Sequence, residues 1–172
     1  MGGRARSRNG PRLSGFRVGQ GFDVHRLVAG RPLRLGATEV PHGRGLEGHS
    51  DGDCLIHAVC DALLGAIGAG DMGYHFPSRD PRWRGVESRV FLEETVRLVK
   101  EAGFRLGNLD VTVIAQEPVL SPHLDSMRKA LATLLEVGPE AVAVKAKSTD
   151  HLGALGRGEG IAALATALLV GT

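Results

Sequence analysis

The sequence predicts a single α/β or α+β domain. Stretches of period two alternate with stretches of helical period along the chain. The 172 residues suffice for one substantial core, with no internal repeat and no linker inside residues 16 to 170. Apolar residues make up 42% and charged residues 23%, ordinary globular usage that excludes global disorder.

The elements follow in order. Phe16 to Phe22 reads as a strand that runs on through Asp23-Val24-His25. A second extended stretch covers Leu33 to Val40, punctuated by Pro32 and Pro41. Gly43 to Gly52 is a loop rich in glycine and histidine. A helix starts near Ser50 or Asp51, either of which can cap the run from Asp53 to Leu64, and Gly68 and Gly70 end it. It is apolar on most sides, so it is expected to be buried. Residues 71 to 86 are loop. Glu87 to Ala102 is an amphipathic helix with Val90, Phe91, Val96, Leu98 and Val99 apolar and Gly103 as its stop. Leu106 to Gln116 is a strand with Leu109, Val111 and Val113 on one face. Pro122 to Leu135 is a helix, Ala141 to Lys147 a strand, and Gly153 to Gly160 a glycine-rich loop. Ile161 to Val170 fits helix or strand equally on period alone.

The net charge of +2 does not describe the folded part. Arg4, Arg6, Arg8 and Arg12 fall in the first fifteen residues, which hold no acid; without them the balance is −2. The basicity belongs to a tail over residues 1 to 15, expected to be disordered, and not to a nucleic-acid-binding face. There is no apolar run of about eighteen residues to span a membrane. Cys54 and Cys60 point to different faces of one helix, which suits buried thiols in a reducing, cytoplasmic setting. A plastid becomes the expectation only if the Arg- and Ser-rich start is a transit remnant.

Two groups of residues could carry chemistry. On a strand, Asp23 and His25 share a face and can chelate one ion. His49-Ser50-Asp51-Gly52-Asp53 and His57 place polar groups at the start of an apolar helix, where burial is costly unless they are paired or bound to metal. Asp53, His57 and Asp61 follow an i, i+4 pattern. A site of two imidazoles and one carboxylate, Asp23, His25 and His57, suits zinc with an open position; manganese or iron satisfies the same donors. Asp53 or Asp51 can orient a ligating imidazole. The bland alternative for His57 alone is a satisfied core histidine. Lys145 to Asp150 and Gly156 to Gly160 offer ammonium groups, hydroxyls and loop amides for a phosphate, and Asp150 could hold magnesium. No Walker A loop and no GxSxG are present.

Several motifs in order resemble the 2-C-methyl-D-erythritol 2,4-cyclodiphosphate synthase family. They are Arg17-Val18-Gly19-Gln20-Gly21-Phe22-Asp23-Val24-His25, His49-Ser50-Asp51-Gly52-Asp53 with His57, and Gly70-Asp71-Met72-Gly73 with Phe76-Pro77. Asn108-Leu109-Asp110-Val111-Thr112 with Ala115-Gln116, and Gly156-Arg157-Gly158-Glu159-Gly160, continue the match. The resemblance implies a mixed sheet covered by helices on one face, in a homotrimer with each active site at a subunit boundary. It implies zinc on Asp23, His25 and His57, and magnesium or manganese on Asp150. Ser148 and Thr149 match the phosphate-facing loop beside Asp150. His49, Ser50, Asp71 and Gly73 match positions at the methylerythritol end of a cytidine diphosphate substrate. Ala115, Gln116, Pro118 and Leu120 match the cytidine pocket, with Lys147 nearby. Arg157 matches a position at a central cavity that can meet a prenyl diphosphate; the bland reading, a tie between strands, is preferred.

The sequence departs from the family pattern at four places. Lys147 stands where threonine is frequent, Asp150 where glutamate is, Ser78 where aspartate is common, and Val119 where lysine is frequent. Two rival readings use the same residues: a phosphohydrolase working through metal-bound water, and a trimeric sensor that binds a diphosphate without turnover.

Overall fold

The computed structural model describes residues 15 to 172, so the expected basic tail, Gly15 apart, lies outside the described residues. Seven strands are formed: β1 (Phe16–Ala29), β2 (Leu33–Leu35), β3 (Thr38–Val40), β4 (Arg44–Leu46), β5 (Phe104–Ile114), β6 (Val142–Lys147) and β7 (Gly160–Gly171). The helices are α1 (Cys54–Ile67), the short α2 (Met72–His75), α3 (Ser88–Glu101), α4 (Leu124–Leu134) and the single turn α5 (Gly153–Gly156).

The main sheet runs β4-β1-β7-β5-β6. It is antiparallel except where β5 and β6 run parallel, so it is mixed, as expected. Segment 161 to 170, ambiguous by period, is the central strand β7. Full ladders to β1 and β5 satisfy its backbone, and apolar residues on both faces suit that place. The loop expected at 43 to 52 contributes β4, and the extended stretch at 33 to 40 folds as the β2–β3 hairpin. Gly36 and Ala37 at its tip both have φ 57°, the left-handed geometry of a two-residue hairpin turn.

Helices cover one face. Leu109, Val111 and Val113 point into the core and are at most 1% exposed. On α3 the buried side is Phe91, Leu92, Thr95, Val96 and Val99, whereas Val90, expected on the apolar side, is exposed. The other face of the sheet is open and carries exposed Phe16, Val18, Phe22, Val24 and Leu164.

The packing of α1 on β1 decides the rest. A Cβ at Gly19 would lie 1.9 Å from the Ala62 carbonyl oxygen, and one at Gly21 would lie 1.9 Å from that of Ala58. Helix backbone therefore rests directly on strand backbone. Two strand residues and four helix residues both advance about 6 to 7 Å, so this contact repeats in step, antiparallel. One further step along β1 reaches Asp23, and one further turn back along α1 reaches the stretch that holds His57. Gly21→Val should lower the thermal midpoint by 5 °C or more, on the order of 1–3 kcal/mol for overpacking a core contact of this kind. Thermal denaturation followed by circular dichroism checks this, and an unchanged midpoint would show that the helix can stand off at no cost.

Candidate metal centre

Asp23 and His25 project from β1 toward α1, and His57 projects from the first turns of α1 toward them. Asp23 Oδ2 lies 2.9 Å from His25 Nε2 and 2.9 Å from His57 Nδ1, and the two nitrogens are 3.2 Å apart. All three side chains are partly buried. The donor set suits a divalent cation.

The hydrogen bonds around the rings sharpen this. His25 Nδ1–H donates to the Glu47 carbonyl. His57 Nε2 faces Ser88 Oγ at 3.0 Å and Ser50 Oγ at 3.2 Å. Ser88 Oγ–H donates to Asp51 Oδ1, which leaves Ser88 Oγ as an acceptor for a proton on His57 Nε2, while Ser50 Oγ can either accept or donate there. A neutral ring with its single proton on that outward nitrogen leaves the nitrogen facing its partner bare. In that form His25 Nε2 and His57 Nδ1 are lone pairs beside a carboxylate oxygen. Such a trio repels itself without a positive charge at its centre, and ligand atoms about 2.0–2.1 Å from a tetrahedral ion sit about 3.4 Å apart. Without a cation the rings can instead turn their protons inward: against burial, which raises it, hydrogen bonds and charge from His25 and His57 hold the Asp23 carboxyl well below the usual range.

Asp53 is not part of this arrangement, although its i, i+4 spacing pointed there. It caps α1 from outside the helix, at φ −66° and ψ 86°. Its carboxylate accepts from Ile56 N–H at 3.1 Å, Gly36 N–H at 2.9 Å and Ala37 N–H at 2.8 Å. Ser50 and Asp51 precede the cap. Asp61 also turns away and accepts from Met72 N–H at 2.8 Å. Asp51, in contrast, reaches His57 through Ser88.

A cleft of about 210 Å³ adjoins the trio, lined by His25, His49, Ser50, His57, Met72, Phe76, Ser78, Trp83 and Phe91. His49 and Ser50 therefore border the centre. Arg31 holds their segment, donating to Gly48 O at 2.9 Å and Ser50 O at 2.6 Å; no sequence pattern singled it out. Asp71 caps α2 by accepting from Tyr74 N–H at 2.9 Å, with Gly73 in the same exposed turn.

The remaining predicted residues gather elsewhere. Ala115 N–H donates to Lys147 O at 2.9 Å, and His151 N–H donates to Gln116 Oε1 at 3.1 Å, so the two loops after β5 and β6 form one surface. Pro118 and Leu120 continue it, Leu120 buried. Ser148 Oγ donates to Asp150 Oδ1 at 3.1 Å, and Thr149 Oγ1 donates to Leu152 O at 2.8 Å. Asp150 has φ 49°. Arg157 is exposed and donates to Glu159 at 2.5 Å; the tie from this loop to the sheet comes from Arg44, which donates to Gly158 O at 2.9 Å and to Glu117.

The two groups share an end of the sheet but not a face. Lys147 pairs with Ile114, Ile114 with Ala162 and Ala162 with Val24, so Lys147 lies on the open face while Asp23 and His25 lie on the helix face. Strands β1 and β6 are also three spacings apart, about 14 Å.

Residues 16 to 170 match the model of the YgbB family. The chain is 57% identical over 154 residues to a protein of Laribacter hongkongensis named 2-C-methyl-D-erythritol 2,4-cyclodiphosphate synthase, covering 90% of this chain and 95% of that one. It is 54% identical over 154 residues to a bifunctional enzyme IspD/IspF of Erythrobacter litoralis, covering 90% of this chain and spanning only 40% of that relative's length. A solved structure of IspF from Plasmodium falciparum in complex with CDP is similar, with a TM-score of 0.82, 31% identity, and coverage of 92% of this chain and 98% of that one.

Asp53→Ala should cost at least about 2 kcal/mol, from a lost cap and buried N–H groups left without an acceptor. It should leave the trio's cation content intact in the folded fraction. Urea denaturation with metal analysis checks both, and loss of the cation without loss of stability would return Asp53 to the site.

Proposed function

The chain belongs to the YgbB family, that of the 2-C-methyl-D-erythritol 2,4-cyclodiphosphate synthases, and from that membership and its converging trio we infer that it is a phosphorus–oxygen lyase. It converts 4-diphosphocytidyl-2-C-methyl-D-erythritol 2-phosphate to 2-C-methyl-D-erythritol 2,4-cyclodiphosphate and CMP, a step of the non-mevalonate isoprenoid pathway. The observation that carries the reading is the pair of imidazole nitrogens facing each other at 3.2 Å beside the Asp23 carboxylate.

The reaction is an internal phosphoryl transfer. An oxygen of the substrate's own 2-phosphate forms a bond to the β-phosphorus, and the bond from that phosphorus to the oxygen of CMP breaks. A phosphate is already a nucleophile near neutral pH, so no side chain has to be one. The chain's task is to bring two anionic groups together, which repel by roughly 4 kcal/mol at 4 Å and an effective dielectric of 20. Asp23, His25 and His57 would hold a zinc ion, which when bound would supply positive charge beside the phosphates. His49 and Ser50, held by Arg31, line the cleft beside the trio and orient the methylerythritol phosphate, with Asp71 and Gly73 at its rim. Ala115, Gln116, Pro118 and Leu120 receive cytidine, largely through backbone. Lys147, Ser148 and Thr149 face the phosphates. Asp150 would hold a second divalent ion, magnesium or manganese. Orientation and fixed charge then provide most of the acceleration.

The separation of the two groups supports a shared site. Lys147 lies on the face opposite the trio, and the strands that carry the two groups are about 14 Å apart, which suits a site whose loops come from a neighbouring copy. The open apolar face formed by Phe16, Val18, Phe22, Val24 and Leu164 suits such a copy, and the assembly proposed is a homotrimer. Arg157, at one end of this face, is available to a diphosphate in a central cavity, although its bond to Glu159 gives it a simpler role.

Three outcomes are expected. The protein incubated with substrate and magnesium should yield the cyclic diphosphate and CMP by phosphorus NMR. His57→Ala should lose the bound cation and about 100- to 1,000-fold in turnover, as losing one electrostatic stabiliser commonly does, while mass measurement still finds the trimer; a fully active cation-free variant contradicts the reading. Phe22→Arg should give monomers that retain the cation but not turnover, by light scattering and the same assay; active monomers would show that one chain suffices.

A further inference from the structure

The proton of His57 is placed by two side chains that are not ligands. Asp51 accepts from both the N–H of Ser88, at 3.1 Å, and its Oγ–H. With its own proton committed there, Ser88 Oγ can only accept from His57 Nε2, 3.0 Å away. Ser88 is fully buried, so no solvent competes for these bonds. Asp51 is itself fixed, since its N–H donates to Val86 O at 3.2 Å. Beside this bond, Gly85 N–H donates to His49 O at 2.8 Å. The start of α3 is thus stapled to the segment that carries His49 and Ser50, and the staple ends on the ring of His57. His25 is oriented differently, through the backbone carbonyl of Glu47, which no side-chain change removes.

We propose that Asp51 and Ser88 are positioning residues: they hold His57 in the Nε2–H tautomer and aim its Nδ1 lone pair at the cation bound with Asp23 and His25. The proposal rests on the reading of that trio as a cation site and extends it to residues that touch neither cation nor substrate. A carboxylate–hydroxyl–imidazole chain fixes both the tautomer and the ring orientation of a ligating histidine, and loss of such support commonly weakens metal binding 10- to 100-fold. Without the Ser88 acceptor only Ser50 Oγ, 3.2 Å away, still faces Nε2; its hydroxyl can donate as well as accept, so His57 can carry its proton on Nδ1, toward Asp23, and that tautomer cannot ligate.

The test uses the whole chain and two readouts besides turnover. Zinc affinity is measured by competition with a chromogenic chelator, and the His57 tautomer by nitrogen NMR of the cation-free protein. Ser88→Ala should weaken zinc about 10- to 100-fold and shift His57 from the Nε2–H form toward a mixture. Asp51→Asn, which cannot accept from both Ser88 groups, should weaken zinc in the same direction. The double variant should lose no more than the worse single, because the two act in series. Ser88→Thr, which restores the hydroxyl, should bind within a few-fold of the parent. If Ser88→Ala does not fold, Asp51→Asn carries the same two readouts. Unchanged affinity and an unchanged tautomer in the folded variants would overturn the proposal. If the parent itself binds no zinc, the cation reading fails separately, and the tautomer of the cation-free parent and variants still decides whether Ser88 places the proton.

Discussion

The structure depends on one contact without side chains, the backbone of α1 laid on the backbone of β1 at Gly19 and Gly21. Any Cβ at these glycines would meet a helix carbonyl, so the helix would have to lift. The interval between helix and strand sets how far His57 stands from Asp23 and His25. Three ligand atoms from two elements fall within 3.2 Å of one another because the elements beneath them touch. The small row Ala163, Ala165 and Ala167 on β7 continues the same close floor under α1.

The second constraint is directional. Bringing two imidazoles together does not make a cation site unless their bare nitrogens face inward. A backbone carbonyl turns His25, and the Ser88 hydroxyl, itself held by Asp51, turns His57. The polar groups around the centre therefore do two jobs at once. They satisfy buried donors, and they leave three acceptors pointing at one spot. Asp53 shows the difference: with equal access to the helix start, its carboxylate is filled by three backbone N–H groups and serves the hairpin tip and the cap instead.

Much of this was legible in the sequence where the signal was local. The alternation through Asp23 and His25, the helix around His57, and the core face of Leu109, Val111 and Val113 all follow from period. Four features were not local. The central strand β7 reads equally as helix, and only its two neighbours decide it. Asp53 shares an ideal helical face with His57, but it lies one residue outside the helix, so the periodicity does not apply to it. Ser88 stands 31 positions beyond His57 with no motif around it, and only the packing of α3 on α1 brings it to the ring. Arg31 escaped for the same reason: its partners are backbone carbonyls of Gly48 and Ser50, which leave no trace in residue type. The family resemblance supplied what period could not, the identity of the chemistry, and the site's hydrogen bonds supply its reason.

The central claim is that Asp23, His25 and His57 hold one divalent cation. Anomalous diffraction from crystals of the zinc-loaded protein, collected on both sides of the zinc absorption edge, tests it most directly. The account predicts a single strong peak within about 2.0–2.1 Å of Asp23 Oδ2, His25 Nε2 and His57 Nδ1. An active protein with no peak there, its two imidazoles bonded to Asp23 through their protons, would contradict it.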